Sequence, residues 1–335
     1  MPAQRPDRKP RVSVIMPSYN TAALIAASLD SVFQQSFQDF EIVVVNDGSP
    51  DTPELERVLA PYLETHADKI VYVRQENKRA AGARNTAIRQ ARGEFFAFLD
   101  SDDAWLQTHL EAQMELFEQT PGLGLAYCNG LSLRNAERPL SFMDTCPSRG
   151  PANFEALVLE RCQIPISTVV ARKSAFVDVG MFDETLPRCD DYDMWLRMAF
   201  YGAKIAYTTK VQVRLNGGRP GSLSASRAKM AEAYWKILEK ALQTLPLVQS
   251  DHALVQTRAN EIRAQYLLEE GKQCLHRGEF DQARVCLRQA NSHAWKWKVS
   301  LALLGLAVAP MVTGKLAALM EGLHSLRARY LLGRS

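Results

Sequence analysis

The chain has 335 residues, 47% apolar and 23% charged, enough for about two globular domains at roughly 100–200 residues each. Its net charge of +3 is too small to point to nucleic acid, and no such partner is expected. The six cysteines (Cys128, Cys146, Cys162, Cys189, Cys274, Cys286) form no CxxC pair and join no histidine cluster, which argues against a zinc site and suits reduced thiols in a cytoplasmic protein.

Residues 1–10 are polar, basic and proline-containing, a disordered segment without the apolar stretch of a signal peptide. Strand signals follow at Val12–Met16, Glu41–Val45, Lys69–Val73 and Glu94–Leu99, each rich in β-branched or aromatic residues. Helical patterns lie between them. Leu24, Ile25, Ser28, Leu29, Val32 and Phe33 trace one face, with Asn20 or Thr21 expected as the cap. A second pattern covers Ala80 to Ala91 and stops at Gly93. This alternation predicts an α/β fold with a mostly parallel sheet flanked by helices, whose ligands gather at the carboxyl ends of the strands.

From about Ser224 only helical patterns remain, at Lys229–Leu245, His252–Arg277 and Phe280–Ala290, so a boundary is placed near residue 225, after the loop Gly217–Ser222. The domain reading is therefore 11–225, with halves 11–103 and 104–225, then an all-α region 226–294 and a tail 295–335. Gly271, Phe280, Ala283, Leu287 and Ala290 have the spacing of one tetratricopeptide unit, or of a plain helical hairpin. This region could serve a protein partner or self-association. The tail holds six Lys/Arg, one acid and two tryptophans among leucines, which suits either an anionic membrane surface or packing on the first domain. Val299–Thr313 is its most apolar stretch, but Pro310 interrupts it and it falls short of the roughly 20 residues a span requires.

Five segments carry candidate chemistry. Leu99-Asp-Ser-Asp-Asp103 ends an apolar strand. If the chain stays extended, Asp100 and Asp102 face one side and can hold Mg²⁺ or Mn²⁺ with phosphate oxygens. Alternatively, Asp102 or Asp103 caps the helix that buries Trp105, Leu110, Met114 and Phe117. Asp47, before Gly48 and Ser49, is placed to accept hydrogen bonds from a base or ribose, or to shape an Asx turn. In Met16-Pro-Ser-Tyr-Asn20, Pro17 is expected to stop strand pairing and Tyr19 to offer a surface for a base. In Gly82-Ala-Arg-Asn85, Arg84 either pairs with phosphate or contacts the base, or faces solvent. Asp190 and Asp191 open the helix that carries Trp195. One of them is a candidate general base, or the acids merely cap the helix.

Together the pieces at 12–20, 41–49, 82–88, 93–103 and 190–197 resemble the family 2 glycosyltransferases of GT-A fold, in order and spacing over roughly residues 10–225. The resemblance implies an inverting transfer of a sugar from a nucleoside diphosphate donor, UDP favoured, to a hydroxyl of a glycan or lipid-linked acceptor. It implies donor contacts from Pro17, Tyr19, Asn20, Asp47, Arg84, Asp100, Ser101 and Asp102. It further implies a divalent metal (Mn²⁺ or Mg²⁺) at Asp102 and Asp100, Asp191 as general base, and acceptor contacts from Asp190 and Trp195. The reduced thiols give a cytoplasmic expectation, and the basic tail adds peripheral contact with the inner membrane face as its membrane alternative. The sequence departs from the pattern in three places. Asp190 stands where Glu is usual, Val211–Asn216 lacks the histidine of many members, and Lys78 and Arg79 replace small residues. A sugar nucleotidyltransferase would carry a Gly-rich basic loop where Pro17–Asn20 stands, and a non-catalytic scaffold would not require the acids at 100, 102 and 191.

Overall fold

The computed structural model describes residues 8–133, 140–217, 227–294 and 297–308. Two compact units divide the chain, Met1–Ala225 and Ser226–Ser335.

The first unit opens with β1 (Val12–Ser18), α1 (Ile25–Phe33), β2 (Phe40–Asp47), α2 (Thr52–Thr65), β3 (Ile70–Gln75), α3 (Arg79–Gln90) and β4 (Phe95–Phe98). β2 is buried along its whole length and β1 at all but one position, which is why both read as continuous apolar runs rather than alternating ones. β1 lies between β2 and β4, parallel to both, with Ser18 opposite Asn46 and Ile15 opposite Phe98. The carboxyl ends of three strands therefore share one edge. Pro17 does not end β1, whose pairing with β2 runs on to Ser18. Only the pairing with β4 stops, at Ile15, where the next ladder bond would need the N–H that proline lacks. Nor is α1 capped by a side chain of Asn20 or Thr21. The backbone carbonyl of Thr21 takes the N–H groups of Leu24 and Ile25 instead.

The unit continues through β5 (Ala104–Trp105), α4 (His109–Gln119), β6 (Leu123–Ser132), β7 (Leu140–Ser141), α5 (Phe142–Thr145), α6 (Phe154–Val158), a 3-10 turn at Ile166–Thr168, β8 (Val169–Arg172), α7 (Lys173–Val179), α8 (Asp190–Phe200) and β9 (Lys204–Leu215). The sheet order is β3-β2-β1-β4-β8-β6-β9-β5, with β7 on β6. β8 runs antiparallel to both neighbours and β5 antiparallel to β9, so the sheet is parallel in its first four strands and mixed beyond them. The strand signals in the sequence all lay before residue 100.

β4 and β5 are linked only by Leu99–Asp103, yet they stand four places apart in the sheet. Laid flat, that separation is about 19 Å. The link instead folds into a turn, the Asp103 N–H bonding the Asp100 carbonyl at 3.0 Å. The sheet therefore curls and brings the end of β9 back to the acidic turn. One apolar core fills the curl, including Val14, Met16, Leu29, Val44, Phe95, Leu110, Phe117 and Val170. Gly93 is required here by packing, since a Cβ would lie 2.6 Å from the backbone nitrogen of Ser13.

The second unit holds α9 (Arg227–Thr244), α10 (Gln249–Arg277), α11 (Phe280–His293) and α12 (Trp297–Val308). α10 stops at Gly278, whose φ of 77° suits glycine. α10 and α11 form the hairpin that carries the tetratricopeptide-like spacing: Ala283, Leu287 and Ala290 are buried, and a Cβ on Gly271 would meet Leu287 at 3.0 Å. Val299 and Leu306 of α12 join this core, while Leu301 and Leu304 are 56% and 63% exposed. Among the described residues no helix is long and apolar enough to cross a membrane. Residues 1–7, the loop from 218 to 222 and the tail from 309 onward lie outside the described residues.

Candidate active site

The loops after β1, β2 and β4 are tied to one another. The Asn20 N–H donates to Ser49 Oγ at 2.7 Å, and Thr21 Oγ1 lies 2.8 Å from Ser101 Oγ. These bonds hold Tyr19, Asp47 and the acids after β4 along one edge. Tyr19 is 52% exposed, Pro17 is half-buried, and Asn20 turns the chain outward with a φ of 54°. Ser101 is buried, with its hydroxyl turned to Thr21, so it braces the turn rather than facing a donor as expected. Asp47 is also buried, and its Oδ1 accepts from Gln75 Nε2 at 2.6 Å and from the Lys78 N–H at 2.8 Å. That fixes the carboxylate at the end of β2 and leaves Oδ2 outside these bonds.

The acidic turn differs from the extended geometry expected. Because the chain turns at Ser101 and Asp102, three carboxylates converge instead of two: ligand atoms of Asp100, Asp102 and Asp103 lie within 4.8 Å of one another. Neither Asp102 nor Asp103 caps the next helix, whose cap position is Thr108. Asp103 is buried and accepts the Asn216 N–H at 2.7 Å, closing the curl of the sheet onto this turn. Its carboxyl is pushed up to about 7, by burial first and then by Asp100 and Asp102. A cluster of hard oxygen donors with excess negative charge fits Mg²⁺ or Mn²⁺ by its chemistry.

Arg84 joins this turn to a second acidic segment. One guanidinium nitrogen is 2.8 Å from Asp100 Oδ1 and the other is 2.6 Å from Asp190 Oδ2. Burial opposes its charge, but Asp190, then Asp100 and Asp191, outweigh that and hold its pKa above the ordinary arginine value. Its charge is thus spent on protein carboxylates, not offered freely to phosphate or base. Asp190, expected on the acceptor side, is buried in the same pair. Asp191 sits beside it in the first turn of α8, entered through Cys189 at a φ of 55°. Burial, and then the charge of Asp190, push the Asp191 carboxyl up to about 7, against the opposing pull of Arg84. A carboxylate in that range is suited to accept a proton near neutral pH.

Trp195 does not face a ligand. It is 1% exposed and packs edge-on against Phe98 and Phe182, holding α8 against β4. Two further positioning groups had no role assigned from the sequence, Asn85 at the end of the Gly82–Asn85 motif and Ser167 outside all of the motifs. Asn85 donates from Nδ2 to the Phe182 carbonyl and Glu184, and its Oδ1 accepts the Phe182 N–H, which pins the segment leading to α8. Ser167 Oγ accepts the Asp100 N–H at 3.1 Å. Asn20, Arg79 and Cys189, three of the four non-glycine residues at positive φ among the described residues, each begin a segment of the site, where such backbone concentrates.

The sequence profile of glycosyl transferase family 2 matches residues 13–138. The chain is 34% identical over 186 residues to an Escherichia coli protein, the UDP-Glc:alpha-D-GlcNAc-diphosphoundecaprenol beta-1,3-glucosyltransferase WfgD, covering 55% of this chain and 68% of that one. It is 32% identical over 198 residues to the amylovoran biosynthesis glycosyltransferase AmsB of Erwinia amylovora, covering 57% and 65%. Against an uncharacterized glycosyltransferase of Rickettsia bellii, 32% identity extends over 56% of this chain but only 27% of that one. Among solved structures, residues 1–349 of TarS from S. aureus share the fold with a TM-score of 0.60 at 17% identity, covering 92% of this chain and 90% of that one. The mannosyltransferase PcManGT from Pyrobaculum calidifontis, solved with GDP-Man and Mn²⁺, has a TM-score of 0.60 at 21% identity, covering 94% and 86%.

Proposed function

Since the chain belongs to glycosyl transferase family 2, we propose that it transfers a sugar, with inversion, from a nucleoside diphosphate donor to a hydroxyl of a lipid-linked glycan during polysaccharide assembly. The observation that carries this reading is the meeting of two acidic groups, Asp100–Asp103 and Asp190–Asp191, across one arginine. One group is built to hold a cation and a diphosphate, and the other to take a proton.

In this mechanism the nucleoside lies along the strand ends, with its base between Tyr19 and the fixed carboxylate of Asp47. Asp102, with Asp100 and Asp103 beside it, would hold Mn²⁺ or Mg²⁺. That cation supplies charge to neutralise the departing diphosphate. Asp191 accepts the acceptor's proton as its oxygen attacks the anomeric carbon from the face opposite the diphosphate, a role worth about 10²–10⁴-fold in rate. UDP is favoured because WfgD, by its name, uses UDP-Glc, and the same name supports a diphosphoundecaprenol-linked acceptor. An acceptor of that kind lies in a membrane. The uncovered Leu301 and Leu304 of α12 and the basic sequence of 295–335 support peripheral contact with the inner membrane face.

The test is donor hydrolysis. The full chain is incubated with Mn²⁺ and UDP-glucose, UDP-N-acetylglucosamine, GDP-mannose or a dTDP-sugar, and release of the nucleoside diphosphate is followed. Slow release from one donor, stopped by EDTA and restored by Mn²⁺, is expected. Release from none of them, with no ligand-dependent rise in melting temperature, would refute the reading.

A further inference from the structure

Arg84 bonds to both acidic segments, and its geometry is that of a strut. Its side chain is 6% exposed, Asp190 is 7% exposed, and the two outer nitrogens go to separate partners. Its Nε is buried without a hydrogen-bond partner, so the polar contacts of the guanidinium lie with Asp100 and Asp190. The Phe182 ring lies 5.8 Å from the guanidinium carbon, and Asn85, next in the helix, clamps Phe182 and Glu184. Both ends of the path from α3 to α8 are therefore anchored. The charged groups facing Asp191 are Asp190 on its own helix, Arg84 on α3 and Asp100 after β4.

We propose that Arg84 is a positioning residue. It sets the separation between the donor-holding turn and the start of α8, and it offsets the negative charge against which Asp191 must work. This rests on the reading of Asp191 as the base. It differs from the donor contact that family resemblance implied for Arg84, because the guanidinium is committed within the protein. Lysine, a single point charge, cannot span the two acids.

The test uses the donor identified by the hydrolysis screen, with kcat, donor KM and pH profiles measured for Arg84→Met, Arg84→Lys, Asp190→Asn, the double variant Arg84→Met/Asp190→Asn, and Asp191→Asn. Arg84→Met is expected to lower kcat about 100-fold, to change donor KM less than about threefold, and to move the acid limb of kcat/KM up by about one pH unit. Asp190→Asn is expected to move that limb down, because the like charge beside Asp191 is gone. The double variant is expected to return towards the wild-type limb. Opposite shifts are an electrostatic signature that a purely structural role would not produce. Arg84→Lys keeps the charge and is expected to keep the limb within about half a unit while losing about tenfold in kcat. Asp190→Asn and Arg84→Lys also carry the test if Arg84→Met does not fold. A tenfold or greater rise in donor KM at unchanged kcat would make Arg84 a donor contact and overturn the proposal. So would pH limbs that do not move in opposite directions. If Asp191→Asn retains turnover, the reading of the base fails. If it abolishes turnover while the Arg84 and Asp190 variants behave as wild type, only the strut fails.

Discussion

Replacing Asp191 by asparagine should stabilise the protein while abolishing its activity. The folded carboxyl is raised from 3.8 to about 7, by burial first and then by Asp190. An acid whose folded pKa is raised contributes stability that is fully present below its unfolded pKa and is lost as pH rises through the folded value. Below about pH 4 the wild type therefore carries no penalty at this position. Above about pH 7 it holds an ionised carboxylate that the fold disfavours. The shift corresponds to at most about 4 kcal/mol. Arg84 is already part of that balance, and Asp191 is not fully enclosed, so about 2 kcal/mol is the working figure. For a unit of this size, 1 kcal/mol moves the melting temperature by about 2–4 °C. Calorimetry of the full chain in EDTA should show the transition of the first unit about 4–8 °C higher in Asp191→Asn than in wild type at pH 8.5, and within about 2 °C at pH 5. Turnover at pH 8.5 should fall about 10²–10⁴-fold. A variant that melts at or below wild type at pH 8.5 would refute the claim that burial and like charge load this carboxylate.

Three other predictions test separate parts of the molecule. Asp102→Ala should weaken manganese-dependent nucleoside diphosphate binding at least about tenfold in titration calorimetry and flatten the response of activity to manganese, while metal-free binding changes little. Gly48→Ala places a Cβ 2.7 Å from the Asn77 nitrogen at a φ of +62°, next to the loop that fixes Asp47. It should cost about 1–3 kcal/mol in thermal denaturation and raise donor KM more than it lowers kcat. Leu301→Asp/Leu304→Asp should reduce co-sedimentation with vesicles containing 30% anionic phospholipid about tenfold or more and leave donor hydrolysis in solution unchanged. Equal binding by variant and wild type would remove α12 from the membrane reading.

The strand ends of the candidate site were legible in the sequence because each motif closes an apolar run. An apolar run followed by Asp47, or by Asp100 and Asp102, marks a carboxyl end, and parallel pairing then sets those ends side by side. The helical third was legible from its period, and the pattern read to Arg277 ends where α10 ends. Several side-chain roles were not legible. Trp195 resembled a ligand-facing aromatic, but its fate depends on Phe98 and Phe182, which reach it only through the fold. Ser101 sits within a donor motif, but its hydroxyl turns inward to Thr21, 80 positions away. Asp103 looked like a spare cap because nothing local shows that the Asn216 N–H arrives beside it.

The sequence alone determined the first four strands, the long helices after residue 226, where the chain changes from α/β to all-α, and which acids stand at strand and helix ends. Those are properties of neighbouring residues, carried by period, capping and turn chemistry. The tertiary structure alone decided that Arg84 joins acids 16 positions after it and 106 positions after it, and that the sheet closes on its own acidic turn. Burial and charge add up in space rather than along the chain, so the ionisation of Asp191 and Asp103 becomes defined only when those distant groups meet.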